Sequence, residues 1–161
     1  MKFAIVSDTH DNLANFAKAI TWCNQENIKV MLHCGDICNQ DTINQSEKLF
    51  NGKIYFVRGN GDFNLHEVSE KMELELDGKQ IFFNHYPEVA KPAAESGKYD
   101  LVFYGHTHKP WLDRRSFSEG GEEKECLFVN PGELAGQRYK PCFAIYDTKT
   151  NKLELKILEK L

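Results

Sequence analysis

A chain of 161 residues with 41% hydrophobic and 27% charged side chains has an ordinary globular composition. At this size folding removes roughly 70% of the extended chain's surface from water, so a core forms without covalent staples. Acidic side chains outnumber basic ones 24 to 20, which argues against a basic stripe for long nucleic acids, and no apolar run approaches the roughly 18 residues of a membrane span.

Phe3 to Ser7 reads as a short buried strand that ends in the loop Asp8-Thr9-His10-Asp11-Asn12. Leu13, Phe16, Ala17, Ile20 and Cys23 then recur at helical spacing, with Asp11 or Asn12 available as the cap. Lys29 to His33 is a second strand running into Gly35-Asp36, and Asp41 to Phe50 a short helix. A third strand, Ile54 to Arg58, ends in Gly59-Asn60-Gly61-Asp62. Strands alternating with helices in this rhythm predict a parallel sheet with crossover helices.

The pattern then changes. Met72, Leu74 and Leu76 alternate with glutamates, Asp77-Gly78 supplies a hairpin turn, and Gln80 to Phe83 returns toward His85. Pro87 to Gly97 allows a short helix at best, because Pro92 interrupts it. Asp100 to Tyr104 is a further strand, followed by Gly105-His106-Thr107-His108. Arg114 to Glu125, charged and glycine-bearing, reads as an exposed loop whose Gly120-Gly121 pair is simply flexible. Three late strands follow near Leu127 to Val129, Cys142 to Tyr146 and Leu153 to Leu158, the last with clear period-2 patterning. The expectation is a single α/β domain, residues 1–161, with two packed sheets and helices outside. Exposed apolar strands near the C-terminus would suit a homo-oligomer.

The five cysteines form no C-x-x-C pair and are expected as free thiols in a reducing cytosol, although Cys34 and Cys38 flank Gly35-Asp36. Met1-Lys2 runs straight into Phe3-Ala4-Ile5-Val6, far too short for a signal-peptide core, so a cytoplasmic soluble protein is expected.

Polar donors collect at one kind of position. Asp8, Asp36 and Asn60 each follow the carboxyl end of an early strand, and His85, His106 and His108 follow later ones, with His10 beside Asp8. In open α/β sheets that edge is where ligands bind. Two adjacent dications need an anionic bridge against their mutual repulsion, which a carboxylate such as Asp36 provides. Imidazole suits zinc, iron and nickel, and carboxylate and amide oxygens suit manganese and magnesium. Two dications with Asp8 and Asp36 ionised would leave a local charge of about +2, attractive to a phosphate anion in an acidic protein. Such a pair generates a hydroxide nucleophile and stabilises both attacking and leaving oxygens.

Asp8-x-His10, Gly35-Asp36, Gly59-Asn60-x-Asp62, the lone His85 and Gly105-His106-x-His108 together resemble the ordered motif set of the calcineurin-like metallophosphoesterases. Length, the Gly-Asn-Gly-Asp form and Asn130-Pro131-Gly132 are similar to the compact phosphodiesterase branch, which also includes the retromer scaffold subunit. The resemblance implies a four-layer αββα sandwich of two mixed sheets flanked by helices. It implies one cation on Asp8, His10 and His108, a second on Asn60, His85 and His106, and Asp36 bridging. Manganese is the expected metal, with nickel, zinc and iron as alternatives. The implied reaction is in-line attack of a metal-bridging hydroxide on a phosphodiester or small phosphate monoester. Asp36, Asn60 and His85 would be the residues nearest the chemistry, and Asn60 could also touch a phosphate oxygen.

Three departures stand out. Gly61 occupies a position where many members carry a histidine assigned to leaving-group protonation, which favours good leaving groups or an acid from elsewhere, with His66 as a weak candidate. Asn84-His85-Tyr86 lacks the common His-Gly-His form, and Asp11 replaces a frequent glycine and would only cap the following helix. Simpler roles compete throughout. Asp8 and Asp36 would serve as helix caps, His33 as a satisfied core histidine, His66 as a solvated residue, and Trp22 and Trp111 as packing residues. Arg58 suits a structural role or a phosphate contact equally. A non-catalytic interaction scaffold is the rival reading, and the complete histidine set favours the enzyme.

Overall fold

The computed structural model describes residues 1–119 and 122–161, so Gly120-Gly121 lies outside the described residues. Five strands form the first sheet: β1 (Lys2–Val6), β2 (Val30–His33), β3 (Lys53–Phe56), β9 (Cys142–Asp147) and β10 (Lys152–Ile157). The second contains β4 (Lys71–Leu76), β5 (Lys79–Asn84), β6 (Leu101–Phe103), β7 (Trp111–Glu119) and β8 (Glu122–Asn130). Three helices accompany them: α1 (Leu13–Gln25), α2 (Gln40–Leu49) and α3 (Pro87–Ala94). The strand orders are β10-β9-β1-β2-β3 and β4-β5-β6-β8-β7. Each sheet is mixed, with β1-β2-β3 and β5-β6-β8 parallel and the outer pairings antiparallel.

Strand alternation builds the layers. In β1, Ala4 and Val6 face α1, where Phe16, Ala19, Ile20 and Cys23 cover them. Phe3 and Ile5 point the other way, into an inter-sheet core with Leu32, Ile81, Phe83, Leu101, Phe103 and Tyr146. On the far side of the second sheet, Phe82, Val102 and Phe128 pack under Ala90 and Ala94 of α3. The layers are therefore helix, sheet, sheet, helix, as expected. Phe3 meets Phe103 edge-on at 6.0 Å, and truncating such a fully buried ring to alanine removes about 3–5 kcal/mol.

Asn12 caps α1 by accepting from the Asn15 amide at 3.1 Å, and Asn39 caps α2 by accepting from Thr42 at 3.0 Å. Asp11 is not the cap; it accepts from the Thr42 hydroxyl at 2.9 Å and ties the first loop to α2. Helix α3 runs through Pro92, although its first turn has no side-chain cap.

The largest correction concerns a loop. Arg114 to Glu125 is not an exposed loop, because the described residues there belong to the long antiparallel pair β7 and β8. β7 is an edge strand, and the arginines and acids that made the segment read as loop are how an edge is kept from pairing with other chains. Phe117 packs onto the α3-side core while Arg114 pairs with Glu125 across the hairpin. Trp22 packs edge-on against Phe143, but Trp111 is 53% exposed and is no core residue. Among the described residues no helix is long and apolar enough to cross a membrane.

Candidate metal centre

The loops after β1, β2, β3, β5 and β6 meet at the carboxyl edge of the parallel strands. Backbone bonds lace them together: Asp8 N–H donates to Gly35 O, His10 N–H to Asp36 O (both 2.9 Å), and Gly105 N–H to His85 O at 3.0 Å. Asp8, His10, Asp36, His106 and His108 all take left-handed backbone conformations, with φ between 43° and 67°. Each such non-glycine residue costs about 1–3 kcal/mol, and that strain persists only where the surroundings fix it. Close approach requires glycine, most tightly at two points. A Cβ on Gly59 would lie 2.3 Å from Asp36 Oδ1, and one on Gly105 would lie 2.0 Å from Ser7 Oγ.

All seven expected donors come together, in two clusters. In the first, His108 Nε2 is 3.3 Å from Asp8 Oδ1 and 3.3 Å from His10 Nε2, and His10 Nε2 is 3.6 Å from Asp36 Oδ2. In the second, Asn60 Oδ1 is 2.9 Å from His106 Nδ1 and 3.2 Å from His85 Nε2, which is 3.5 Å from Asp36 Oδ1. Asp36 thus turns one oxygen toward each cluster. Donors sharing a cation at about 2.0–2.2 Å sit about 3 Å from each other, and these spacings match.

Proton positions point the same way. His85 Nδ1 donates to Cys34 O at 2.8 Å, which leaves Nε2 as a bare lone pair. His108 Nδ1 donates to Glu133 Oε2 at 2.9 Å, which leaves its Nε2 bare as well. Each cluster then gathers four lone-pair atoms with at most one ring proton among them, on His10 or on His106, beside the His106 and Gly61 amides that reach the outer lone pairs of Asp8 and Asp36. A divalent cation in each would satisfy this excess of acceptors, so the residues fit the metal pair.

Two outer carboxylates were given no role by sequence reading, Asp62 although its motif was quoted and Glu133 altogether. Glu133 is fully buried and accepts from the Gln137, Arg138 and Tyr139 amides at 3.0, 2.6 and 2.6 Å while holding His108. Burial alone would raise its carboxyl; those amides and His108 overcome this and hold it below the ordinary range. Asp62 accepts from the amides of Asp36, Ile37, Cys38 and Gly59 at 2.6–2.8 Å, fixing the Asp36 loop against the Asn60 loop. The only sequence signal for Glu133 is its place directly after Asn130-Pro131-Gly132. Asn130 itself donates to Gly105 O at 2.7 Å and so holds the His106 loop.

Burial drives the electrostatics. The Asp8 carboxyl, fully enclosed, is pushed up to about 8, with Asp36 and Glu133 adding repulsion against hydrogen bonds that lower it. Desolvation also lowers His85 and His108 below the usual imidazole value, which favours the neutral form that binds metal. His33 is a satisfied core histidine: Nε2 meets Thr9 Oγ1 at 2.8 Å, Nδ1 accepts from Gly35 N–H at 3.2 Å, and burial drops its pKa to about 3. Asp8 and Asp36 cap no helix. Arg58 pairs with Glu70 at 2.7 Å, His66 is exposed, and Cys38 Sγ lies 3.8 Å from His10 Nδ1 with its thiol free.

Comparison with known proteins shows the family and the fold. Residues 1–151 match the family model of the calcineurin-like phosphoesterase superfamily domain. Phosphodiesterase MJ0936 of Methanocaldococcus jannaschii is 35% identical over 175 residues, spanning 99% of this chain and 100% of the relative. The structure of an archaeal phosphodiesterase superposes with a TM-score of 0.82 at 31% identity, covering 98% of this chain and 99% of that one. Vps29 of Chaetomium thermophilum shares the fold, with a TM-score of 0.67 at 15% identity over 98% and 94% of the two chains.

Proposed function

The chain belongs to the calcineurin-like phosphoesterase superfamily, in its small phosphodiesterase branch, and we propose that it is a single-domain, dinuclear metal-dependent hydrolase of phosphodiesters or small phosphate monoesters. Asp8, His10 and His108 would hold one cation and Asn60, His85 and His106 the other, with Asp36 shared. The observation that carries this reading is Asp36, with one carboxylate oxygen in each of two lone-pair clusters. Manganese suits the mixed oxygen and imidazole set, with nickel, zinc or iron as alternatives. When bound, such a pair supplies Lewis-acid charge and lowers the pKa of water toward neutrality.

The chain's own groups set the geometry around that chemistry. Glu133 fixes the ring plane of His108, and the Cys34 carbonyl fixes His85, so both Nε2 atoms are aimed before any ligand arrives. Asn60 turns its amide oxygen to the second cluster, which leaves its amide nitrogen as a donor for a phosphate oxygen. Gly61 supplies no acid, so the leaving group departs without a proton from that position and esters of acidic alcohols react fastest. Five free thiols, four of them buried, suit a reducing cytosol.

The test is hydrolysis of a chromogenic phosphodiester and the matching monoester by chelator-stripped protein, re-supplied separately with manganese, nickel, zinc and magnesium. Metal-dependent release is expected, with the diester preferred. No release with any metal, despite two bound cations, moves the assignment to a non-catalytic scaffold on the same fold.

A further inference from the structure

The end of β5 serves two places at once. Strand alternation sends Phe83 into the inter-sheet core and His85 to the metal centre, while Asn84 and Tyr86 turn to the α3 side. There they line a groove of about 490 Å³ with Ser69, Glu70, Lys71 and Val89. The half-buried Tyr86 joins the groove to the metal centre, its ring centroid 5.0 Å from that of His85 and 5.4 Å from that of His106. A group attached to a phosphate at the metal centre would therefore reach this groove past Tyr86.

Its lining narrows what that group is. The volume lies within the range of small-molecule sites and exceeds what a methyl or glyceryl ester fills. Tyr86 and Val89 give one aromatic and one aliphatic wall, and Val89 is 42% exposed with no cover from the chain. Asn84 stands directly opposite Lys71 in the β4–β5 ladder. Its amide nitrogen is committed to Tyr86 O at 3.0 Å, and its buried Oδ1 has no donor among the described residues. Such an acceptor is satisfied by an N–H or O–H and not by an acyl chain. Lys71 is the one cation among the lining side chains, and Glu70 beside it is held by Arg58 at 2.7 Å.

Resting on the dinuclear reading above, we infer that this groove binds the second ester group of the substrate, and that this group is a nucleoside. The base stacks on Tyr86 and offers its donors toward Asn84, so the natural substrate is a nucleoside-bearing phosphodiester.

Two esters with the same leaving group separate the groove from the metal chemistry: thymidine 5′-(4-nitrophenyl) phosphate and methyl 4-nitrophenyl phosphate. With manganese-loaded protein, KM for the nucleoside ester is expected about tenfold or more below that for the methyl ester, from stacking alone. Val89→Arg, on an exposed turn of α3, is expected to bring the ratio of the two KM values to near one. Equal KM values in the native protein, an unchanged ratio in the variant, or a lower KM for an octyl 4-nitrophenyl ester would each overturn the inference. Should neither ester be hydrolysed, the groove is still tested by calorimetry. Thymidine 5′-monophosphate should then bind the manganese-loaded protein about tenfold tighter than inorganic phosphate, a preference lost in Val89→Arg; equal binding would overturn it.

Discussion

The two donor clusters differ in charge and in enclosure, and the difference predicts how they fill. The first gathers Asp8 and Asp36 with two imidazoles, and Glu133 stands one layer out behind His108. Asp8 is fully enclosed and His108 nearly so. The second has only its share of Asp36 for charge, and its Asn60 and His106 are exposed. More anionic ligands in a drier setting bind a dication more strongly. The first cluster should therefore hold its cation when the second has lost its own, leaving the second as the place where substrate and solvent exchange.

The largest effect is expected where the clusters meet. Asp36→Asn neutralises the carboxylate that turns one oxygen to each cluster and should lower metal-dependent hydrolysis about a thousandfold or more while leaving the circular dichroism spectrum intact. Full turnover in metal-replete Asp36→Asn protein would end the bridging assignment. Next comes the order of filling. Calorimetric titration of chelator-stripped protein with manganese should show two unequal steps, and Asn60→Ala should erase only the weaker one. Two equal steps would mean that enclosure and charge do not distinguish the clusters. Smaller again is Glu133→Gln, which keeps the shape but removes the charge behind His108. Its expected cost is about 10–100-fold in affinity at the tighter step, with the weaker step unmoved.

What the sequence made legible follows the same division. Each of the seven donors follows a strand within a few residues, where position brings the side chain to the carboxyl edge, so their gathering was readable from Asp8 to His108. The β1–α1–β2–α2–β3 run was readable because its apolar periods are unmixed. Glu133 was not, because it acts on His108 from 25 residues away, across a loop with no regular period. Nor was the β7–β8 hairpin, where edge-strand charge imitates loop composition. The groove at Tyr86 depends on how β4, β5 and α3 meet, which no local pattern encodes.

The smallest expected effect concerns the support beneath the first cluster. His33 joins the Thr9 side chain to the Gly35 amide, so one ring spans the loops that carry Asp8, His10 and Asp36. It accepts at Nδ1 only while neutral, and burial, with His85 and His10 nearby, lowers its pKa from 6.5 to about 3. Between those values the unfolded chain binds a proton that the folded chain refuses. This contribution to stability is therefore full above pH 6.5 and is lost as the pH falls toward 3. The urea midpoint of the chelator-stripped protein should fall over this window more steeply than that of His33→Gln, and nitrogen shifts of the native ring at pH 5 should remain those of a neutral imidazole. A protonated ring at pH 5 would show that the loops of the first cluster open to water before the fold does, and would reverse the ranking of the two clusters by enclosure.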